Sequence, residues 1–455
     1  MSRLTGLVGG LVVLMLLGVL GVTLFTSTGN GNTATAPDTT SSPLAESRVT
    51  EAPATTAANT PISPNTDNEG DGTQAPAAQT DRSDPIAPCT FDAQADPALP
   101  LAPAIDTYTF AEPEVLLQGS LFDLHTWLPD NQRLFLTQWS EGSKNAAFTT
   151  FDIQTGATET YAERSGRRVE PLWIESEQAV VFPEFVSDDQ LVLYVSRGND
   201  QAPKELAHNL QTPFISVDRT NQRITFLSQD TLGNVVSMAL APDLQLSART
   251  ETAIAGLVAP TGMQLDPWYS VHAIWHPDGQ RVVFYDNTGA YLSDTSTNTQ
   301  CALDLGGDNT GTRWPLYMEW SPNGRFLAAR TTIGGSKGNL PFVDVTVLDM
   351  VTGDRQHFDV DVQYVEEFRW MTNGEHILAL GQYYQDSTVV NPYLFLIDVV
   401  RSQSQRMLPD YTFGAGFFES GTGSLIVSPE SDQIAVRCPL PQEDRVCLIK
   451  VGSQQ

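Results

Sequence analysis

The chain is short of positive charge. It carries 25 Lys and Arg against 54 Asp and Glu, a formal net charge of −29. Clustered Lys and Arg hold phosphate backbones, so this balance excludes nucleic acid as the main partner. The carboxylate excess favours solubility. Cysteine is scarce as well. Cys89, Cys301, Cys438 and Cys447 show no CxxC or Cys/His spacing, so no zinc site is legible. There is no G-x-S-x-G elbow, and no glycine-rich loop leads into a Lys and a helix. No cofactor, metal or catalytic set is implied, and the expectation is a protein that is not an enzyme.

Long hydrophobic runs are absent except at the start. Leu4 to Phe25 carries no charge and is long enough as a helix to cross the hydrocarbon core. Arg3 precedes it and the next basic residue is Arg48, so the positive-inside rule keeps the N-terminus in the cytoplasm. The expectation is a single-pass anchor over residues 1–25 in the cell membrane, with the folded part outside it. A cleaved signal peptide and secretion is the alternative. Residues 26–88 are rich in Thr, Ala, Pro and Ser and have no aromatic residue. They bury too little apolar surface to offset the entropy of ordering, and read as a disordered linker. The folded domain is then 89–455. In an exported chain the cysteines can pair. Cys438 and Cys447 flank PLPQEDRV and can face each other across a hairpin, which leaves Cys89 with Cys301.

What the folded part has in abundance is a repeat. WLPDNQRLFL begins at Trp127, WIESEQAVVF at Trp173, VDRTNQRITF at Val217 and WHPDGQRVVF at Trp275; WSPNGRFLAA follows at Trp320, WMTNGEHILA at Trp370 and VSPESDQIAV at Val427. Each shows a large apolar residue, a polar turn and an apolar run. Successive copies start 46, 44, 58, 45, 50 and 57 residues apart. Short strands at a period of 40–50 residues predict a β-propeller. Seven copies predict an all-β fold of seven four-stranded antiparallel blades. The last copy lacks a fourth strand, and the run TYTFAEPEVLLQG before the first copy is expected to supply it and close the ring. Asp152, Asp294, Asp349 and Asp398 each follow a third-strand run and read as turn caps.

The WSPNG core at Trp320–Gly324 and the LDMVTGD run at Leu348–Asp354 resemble the repeats of TolB-type propellers, relatives of the WD-repeat superfamily. The resemblance implies the fold and little about activity, since such blades serve scaffolds, ligand binders and peptidase gates. The separate N-terminal α/β domain of TolB itself has no counterpart here.

In a meander, the turns from first to second strand lie on one face. The loops from second to third strand and between blades lie on the other. Here the first set is tight and the second is long and aromatic. Trp268, Tyr269, Trp314, Tyr317 and Tyr364 belong to the long set, as do Tyr383, Tyr384, Tyr411, Phe413 and Phe417. Aromatic loops on a rigid scaffold suit a binding surface. Glu366 and Glu367, beside Arg369, are candidates to bind a cation or a basic ligand. His272 and His276, four apart on a predicted strand, are expected to line the channel or to pack between blades. The functional expectation is a membrane-tethered extracytoplasmic scaffold for a protein or peptide partner in the cell envelope. The alternative is a small-molecule or glycan sensor at the central pocket, with a hydrolase or lyase behind both.

Overall fold

A computed structural model describes residues 86–91, 101–118, 121–139, 145–165, 169–187, 190–198, 201–220, 222–231, 235–241, 244–252, 271–286, 289–308, 311–337, 340–358, 360, 364–385, 388–414, 423–439 and 445–453. The chain divides into two units, Met1–Pro76 and Ala77–Gln455. All described residues lie in the second.

This unit is an all-β propeller. Four sheets are simple four-stranded antiparallel meanders. The first comprises Leu121–Trp127, Arg133–Trp139, Asn145–Asp152 and Thr158–Ser165. The second comprises Leu172–Ile174, Ala179–Ser187, Gln190–Ser196 and Lys204–Ala207. The third runs from Leu210–Asp218 to Leu246–Thr252 and the fourth from His272–Trp275 to Thr299–Leu303. A five-stranded sheet holds Leu425–Val427, Gln433–Arg437 and Val446–Ser453, with Tyr108–Phe110 and Glu114–Leu117 both paired antiparallel to Val446–Ser453. The N-terminal run therefore does complete the final sheet.

The count of seven separate four-stranded blades needs correction. Five sheets have the size of a blade, and the remaining strands between Gly307 and Met407 form one continuous sheet of nine. A single parallel pair, Val343 with Tyr364, joins the third strand of one meander to the first strand of the next. A sequence repeat marks each hairpin but carries no information on whether adjacent meanders bond to each other. The membrane expectation is corrected too. Among the described residues no helix is long and apolar enough to cross a membrane. The proposed anchor at 1–25 and the linker up to residue 85 lie outside the described residues.

The aligned cores explain how neighbouring hairpins nest. Three residues past the aligned apolar residue, Asp130, Asp278, Asn323 and Asn373 accept backbone N–H groups two residues on, at 2.8–3.0 Å. Gly324 and Gly374 then hold φ of 73° and 70°. A Cβ on Gly324 would lie 2.3 Å from His276 Nε2, and one on Gly374 would lie 2.5 Å from Asn323 Nδ2. Each turn thus receives the preceding turn's side chain where only glycine leaves room. The turn-capping aspartates behave as expected: Asp152, Asp294, Asp349 and Asp398 each accept a following backbone N–H at 2.8–2.9 Å.

Cores form between faces of adjacent meanders. Ile174, Val181 and Leu193 pack against Leu210, Ile224 and Val236, while Phe326, Val345 and Val347 pack against Phe368, Ile377 and Phe395. Middle strands are buried on both faces, so they read as unbroken apolar runs such as Leu134–Leu136 and Ile377–Leu380 rather than alternating ones.

The N-terminal segment is strapped along the rim before it closes the ring. Pro88 bridges Ala302 in parallel. Cys89 N–H donates to Ala302 O and Ala302 N–H donates to Ala87 O, both at 2.9 Å. Cys89 pairs with Cys301 and Cys438 with Cys447, as expected, at Cα separations of 4.8 and 4.9 Å. Farther on, Ala102 N–H donates to Glu375 Oε2 and Arg401 donates to Ala102 O, both at 2.9 Å. Across the closure, buried Arg437 donates to Phe122 O at 2.6 Å and to Asp123 Oδ1 at 3.1 Å. Trp139 Nε1 donates to Asp123 Oδ2 at 2.5 Å.

Two outcomes follow from the closure. Asp123→Ala removes the carboxylate partner of the buried Arg437 guanidinium and should cost about 3–5 kcal/mol in denaturant unfolding. The two disulfides close loops of very different length, with sequence separations of 212 and 9. Replacing Cys89 and Cys301 by Ser should cost about 5 kcal/mol, against roughly 2.7 kcal/mol for Cys438 and Cys447, in the chain-entropy model. Equal losses in the two double variants would show that the strap contributes nothing through loop closure.

Candidate functional site

Side chains alternate across a strand, so positions one and three before an aligned apolar residue share a face, except before Trp127, where the register shifts between Leu124 and Thr126. That face looks into the axis. The register places Glu170 before Trp173, Phe214 and Ser216 before Val217, and His272 and Ile274 before Trp275. It places Tyr317 and Glu319 before Trp320, and Glu367 and Arg369 before Trp370. The aligned Trp residues pin these strands side by side. Trp370 Nε1 donates to Glu319 O at 3.1 Å, and Trp275 Nε1 to Thr225 Oγ1 at 3.0 Å.

Two adjoining cavities occupy the axis. One, of about 600 Å³, is lined by Glu170, Phe214, Ser216, Arg219, His272, Tyr317 and Glu319 among others. The second, of about 420 Å³, shares Glu170, Arg219, Tyr317 and Glu319 and adds His125, Trp127, Trp173 and Arg369.

The charges here centre on one guanidinium. Arg369 Nη2 lies 2.8 Å from Glu367 Oε1. Its Nη1 donates to Tyr317 Oη at 2.9 Å and to Phe368 O at 3.0 Å. Glu367, 1% exposed, also accepts Gly423 N–H at 3.2 Å and Ser424 N–H at 2.8 Å. Glu319 stands apart: Arg369 is 4.0 Å away, and Tyr317 Oη, its nearest donor among the described residues, is at 3.5 Å. Desolvation pushes the Glu319 carboxyl up to about 7 against the pull of Arg369, and does the same to Glu367. It also raises Glu170, again against Arg369. Arg369 itself is held charged. Burial opposes its charge, but Tyr317, Glu367, Glu319 and Glu170 outweigh that and raise its pKa. Burial, with Arg369 adding to it, pulls His125 down to about 3, so that ring is neutral.

The expected site residues fall into three groups. His272 lines the larger cavity, half-buried between Phe214 at 4.2 Å and the stacked Tyr285 ring at 5.0 Å. His276 also borders it, but is buried against the next turn, with Nε2 2.9 Å from Gly324 O. Tyr317 and Glu367 sit at the axial cluster. Glu366 does not join them: its carboxylate accepts from Gln382 at 2.5 Å and its carbonyl accepts from buried Arg330. Tyr364 is half-buried, with the Arg330 guanidinium 5.9 Å from its ring centre.

Tyr411 packs on the core that encloses Phe413, which is fully buried. Trp314 lies on the strand Gly311–Trp320, and Tyr383 and Tyr384 on His376–Gln385; nothing further is described of those side chains. Trp268, Tyr269 and Phe417 lie outside the described residues. Glu170, Glu319, Arg219 and His125 were not singled out in the sequence. The first two were legible there, as the acidic members of the one-before and three-before positions. Among the described residues no group of three or more His, Cys, Asp or Glu is placed to hold a metal.

The raised carboxyl of Glu319 has a consequence for stability. Its folded pKa exceeds its unfolded value, so the folded state binds more protons between about pH 4.5 and pH 7. Its contribution is present at low pH and is lost as pH rises through that window. Glu319→Gln removes the loss. The stability of the variant relative to the parent should therefore rise from pH 5 to pH 7.5 in parallel denaturant titrations. A flat difference would mean that Glu319 ionises normally.

Comparison with known proteins shows no family for this chain. No family model matches the chain, and no curated protein sequence matches it. Among solved structures, an oligogalacturonate lyase in complex with manganese is 10% identical, with a TM-score of 0.45, covering 76% of this chain and 98% of that one. An oligogalacturonate lyase from Vibrio parahaemolyticus is 10% identical with a TM-score of 0.48, covering 76% and 97%. A chain of a mitotic checkpoint complex is 13% identical with a TM-score of 0.47, covering 78% and 98%. At TM-scores below 0.5 these likenesses carry no argument, and the fold rests on the sheets themselves. Membership of the TolB-type or WD-repeat families is not established, and the chain is an all-β propeller.

Proposed function

We propose that this propeller is a binding protein whose ligand is a small organic molecule seated in the axial cavities. One observation carries the reading. The register of the repeat directs polar and aromatic side chains from several sheets onto adjoining cavities of about 600 and 420 Å³. Small-molecule sites commonly span about 300–1,000 Å³ and combine apolar walls with a few convergent polar groups. Phe214, Trp173 and Tyr317 supply the walls, and Glu170, Glu319, Arg219 and His272 supply the polar groups. A second reading, a scaffold for a protein or peptide partner on the loop face, draws on Tyr364, half-buried where the strand Tyr364–Trp370 begins.

The test narrows the cavity. Ser216 lines the larger cavity, and among the described residues its hydroxyl has no hydrogen-bond partner. Ser216→Trp places a ring there. A thermal-shift screen of the full chain against small organic molecules should give ligands that raise the melting temperature. At a concentration 100-fold above Kd, the stabilisation is about 2.7 kcal/mol. Ser216→Trp should abolish it, whereas Asp278→Ala at an outer turn should preserve it. Ligands that stabilise Ser216→Trp as well as the parent would place binding away from the axis.

A further inference from the structure

We propose that the Cys89–Cys301 disulfide is a redox latch. A dithiol reductant opens it and frees the strap at 86–91 from the outer edge of the sheet that runs from His272 to Leu303, while the ring stays closed. The first ground is how little else holds the strap. Apart from the seat of Phe91, it is held by an isolated parallel bridge from Pro88 to Ala302 and two backbone hydrogen bonds to the outer strand Thr299–Leu303. Outer strands elsewhere need no such cover. Among the described residues, Thr158–Ser165, Lys204–Ala207 and Leu246–Thr252 each end their sheet. The strap therefore pairs with an edge that this fold can leave open, and the disulfide fixes it there.

The second ground is access. Cys438 and Cys447 are 0% and 1% exposed, enclosed by the core around Leu425 and Ile449. Cys89 and Cys301 are half-buried at the rim. Thiol–disulfide exchange requires a thiolate to reach a sulfur, so the rim bond reacts first. A thiolate of the dithiol attacks one cysteine sulfur, the S–S bond breaks, and the other cysteine sulfur leaves as a thiolate. The second sulfur of the reductant then displaces the first cysteine from the mixed disulfide and closes a cyclic disulfide. Two electrons pass to the protein, and the two protons of the dithiol end on Cys89 and Cys301.

What the strap covers gives the opening its effect. Phe91 sits over the turn at Gly353, where a Cβ would lie 2.6 Å from Phe91 Cδ2. Cys89 and Phe91 both pack on the core cluster that Leu292 and Met350 also border. Release bares the Ala302 backbone and this apolar seat together. It stops short of the closure. Ala102 is held separately by Glu375 and Arg401, and Ala111 N–H donates to Lys450 O at 2.9 Å. Loop closure through Cys89–Cys301 acts on the unfolded chain. Its loss lowers the melting temperature without unpairing Tyr108–Phe110 or Glu114–Leu117 from Val446–Ser453.

The test exposes the full chain to rising dithiothreitol, alkylates free thiols and maps them by mass spectrometry, with amide hydrogen exchange followed at each step. Cys89 and Cys301 should be alkylated well before Cys438 and Cys447. In that window the Ala302 amide should exchange about tenfold faster, as loss of one backbone hydrogen bond warrants, while the Ala111 amide keeps its protection. The double variant Cys89→Ser, Cys301→Ser should show the same fast Ala302 exchange without reductant, and reoxidation of the parent should restore the slow rate. The proposal is overturned if both disulfides open together, or the buried one first. It is also overturned if Ala302 exchange stays slow in the reduced parent or the serine variant, since Phe91 and the backbone then hold the strap unaided, or if reoxidation fails to restore it. Loss of Ala111 protection along with that of Ala302 overturns it too, because the bond is then a structural clasp of the whole ring.

Discussion

A strand with an unsatisfied edge is the constraint on which this fold depends. Val446–Ser453 ends the chain's last meander, and its outer edge needs hydrogen-bonding partners. Tyr108–Phe110 and Glu114–Leu117 supply them, and so the ring of sheets closes on itself. The rim contacts of the segment before them support that closure: the Cys89–Cys301 disulfide and the Ala102 bonds to Glu375 and Arg401. The buried Arg437–Asp123 pair seals the same seam from inside.

Closure also explains the chemistry at the axis. Once the first strands converge, side chains that one strand would have left in water face one another in a confined space. Charges then cost more to keep and interact more strongly. Arg369 is held charged by the acids around it, His125 is held neutral, and Glu319 is pushed towards neutrality by desolvation. These departures all come from one confined volume, and none would arise in an isolated sheet.

The repeat made much of the fold legible. The polar turn three residues past each aligned residue, the glycines at Gly324 and Gly374, and the caps at Asp152 and Asp294 behave as short-range stereochemistry requires. The disulfide partners were legible from spacing and elimination. Glu366 and Glu367 looked equivalent as neighbours in sequence. In the structure Glu367 faces Arg369 while Glu366 is bonded to Gln382, because strand alternation separates adjacent residues. The aromatic loops drew attention by composition, yet Phe413 is buried in the core.

By itself the sequence determined the all-β class, the hairpin register, the turn chemistry and the alternation that sends Glu170, Tyr317, Glu319 and Arg369 to one face. These follow from local geometry, and a period of two or a turn type is written in consecutive residues. Only the tertiary structure decided that neighbouring meanders fuse into one sheet of nine strands through Val343 and Tyr364. It alone decided that Arg369 is taken by Glu367 and Tyr317, and that Glu170 and Glu319 are left facing the cavities. These outcomes depend on distances between residues remote in sequence, and such distances are fixed when the sheets close around the axis.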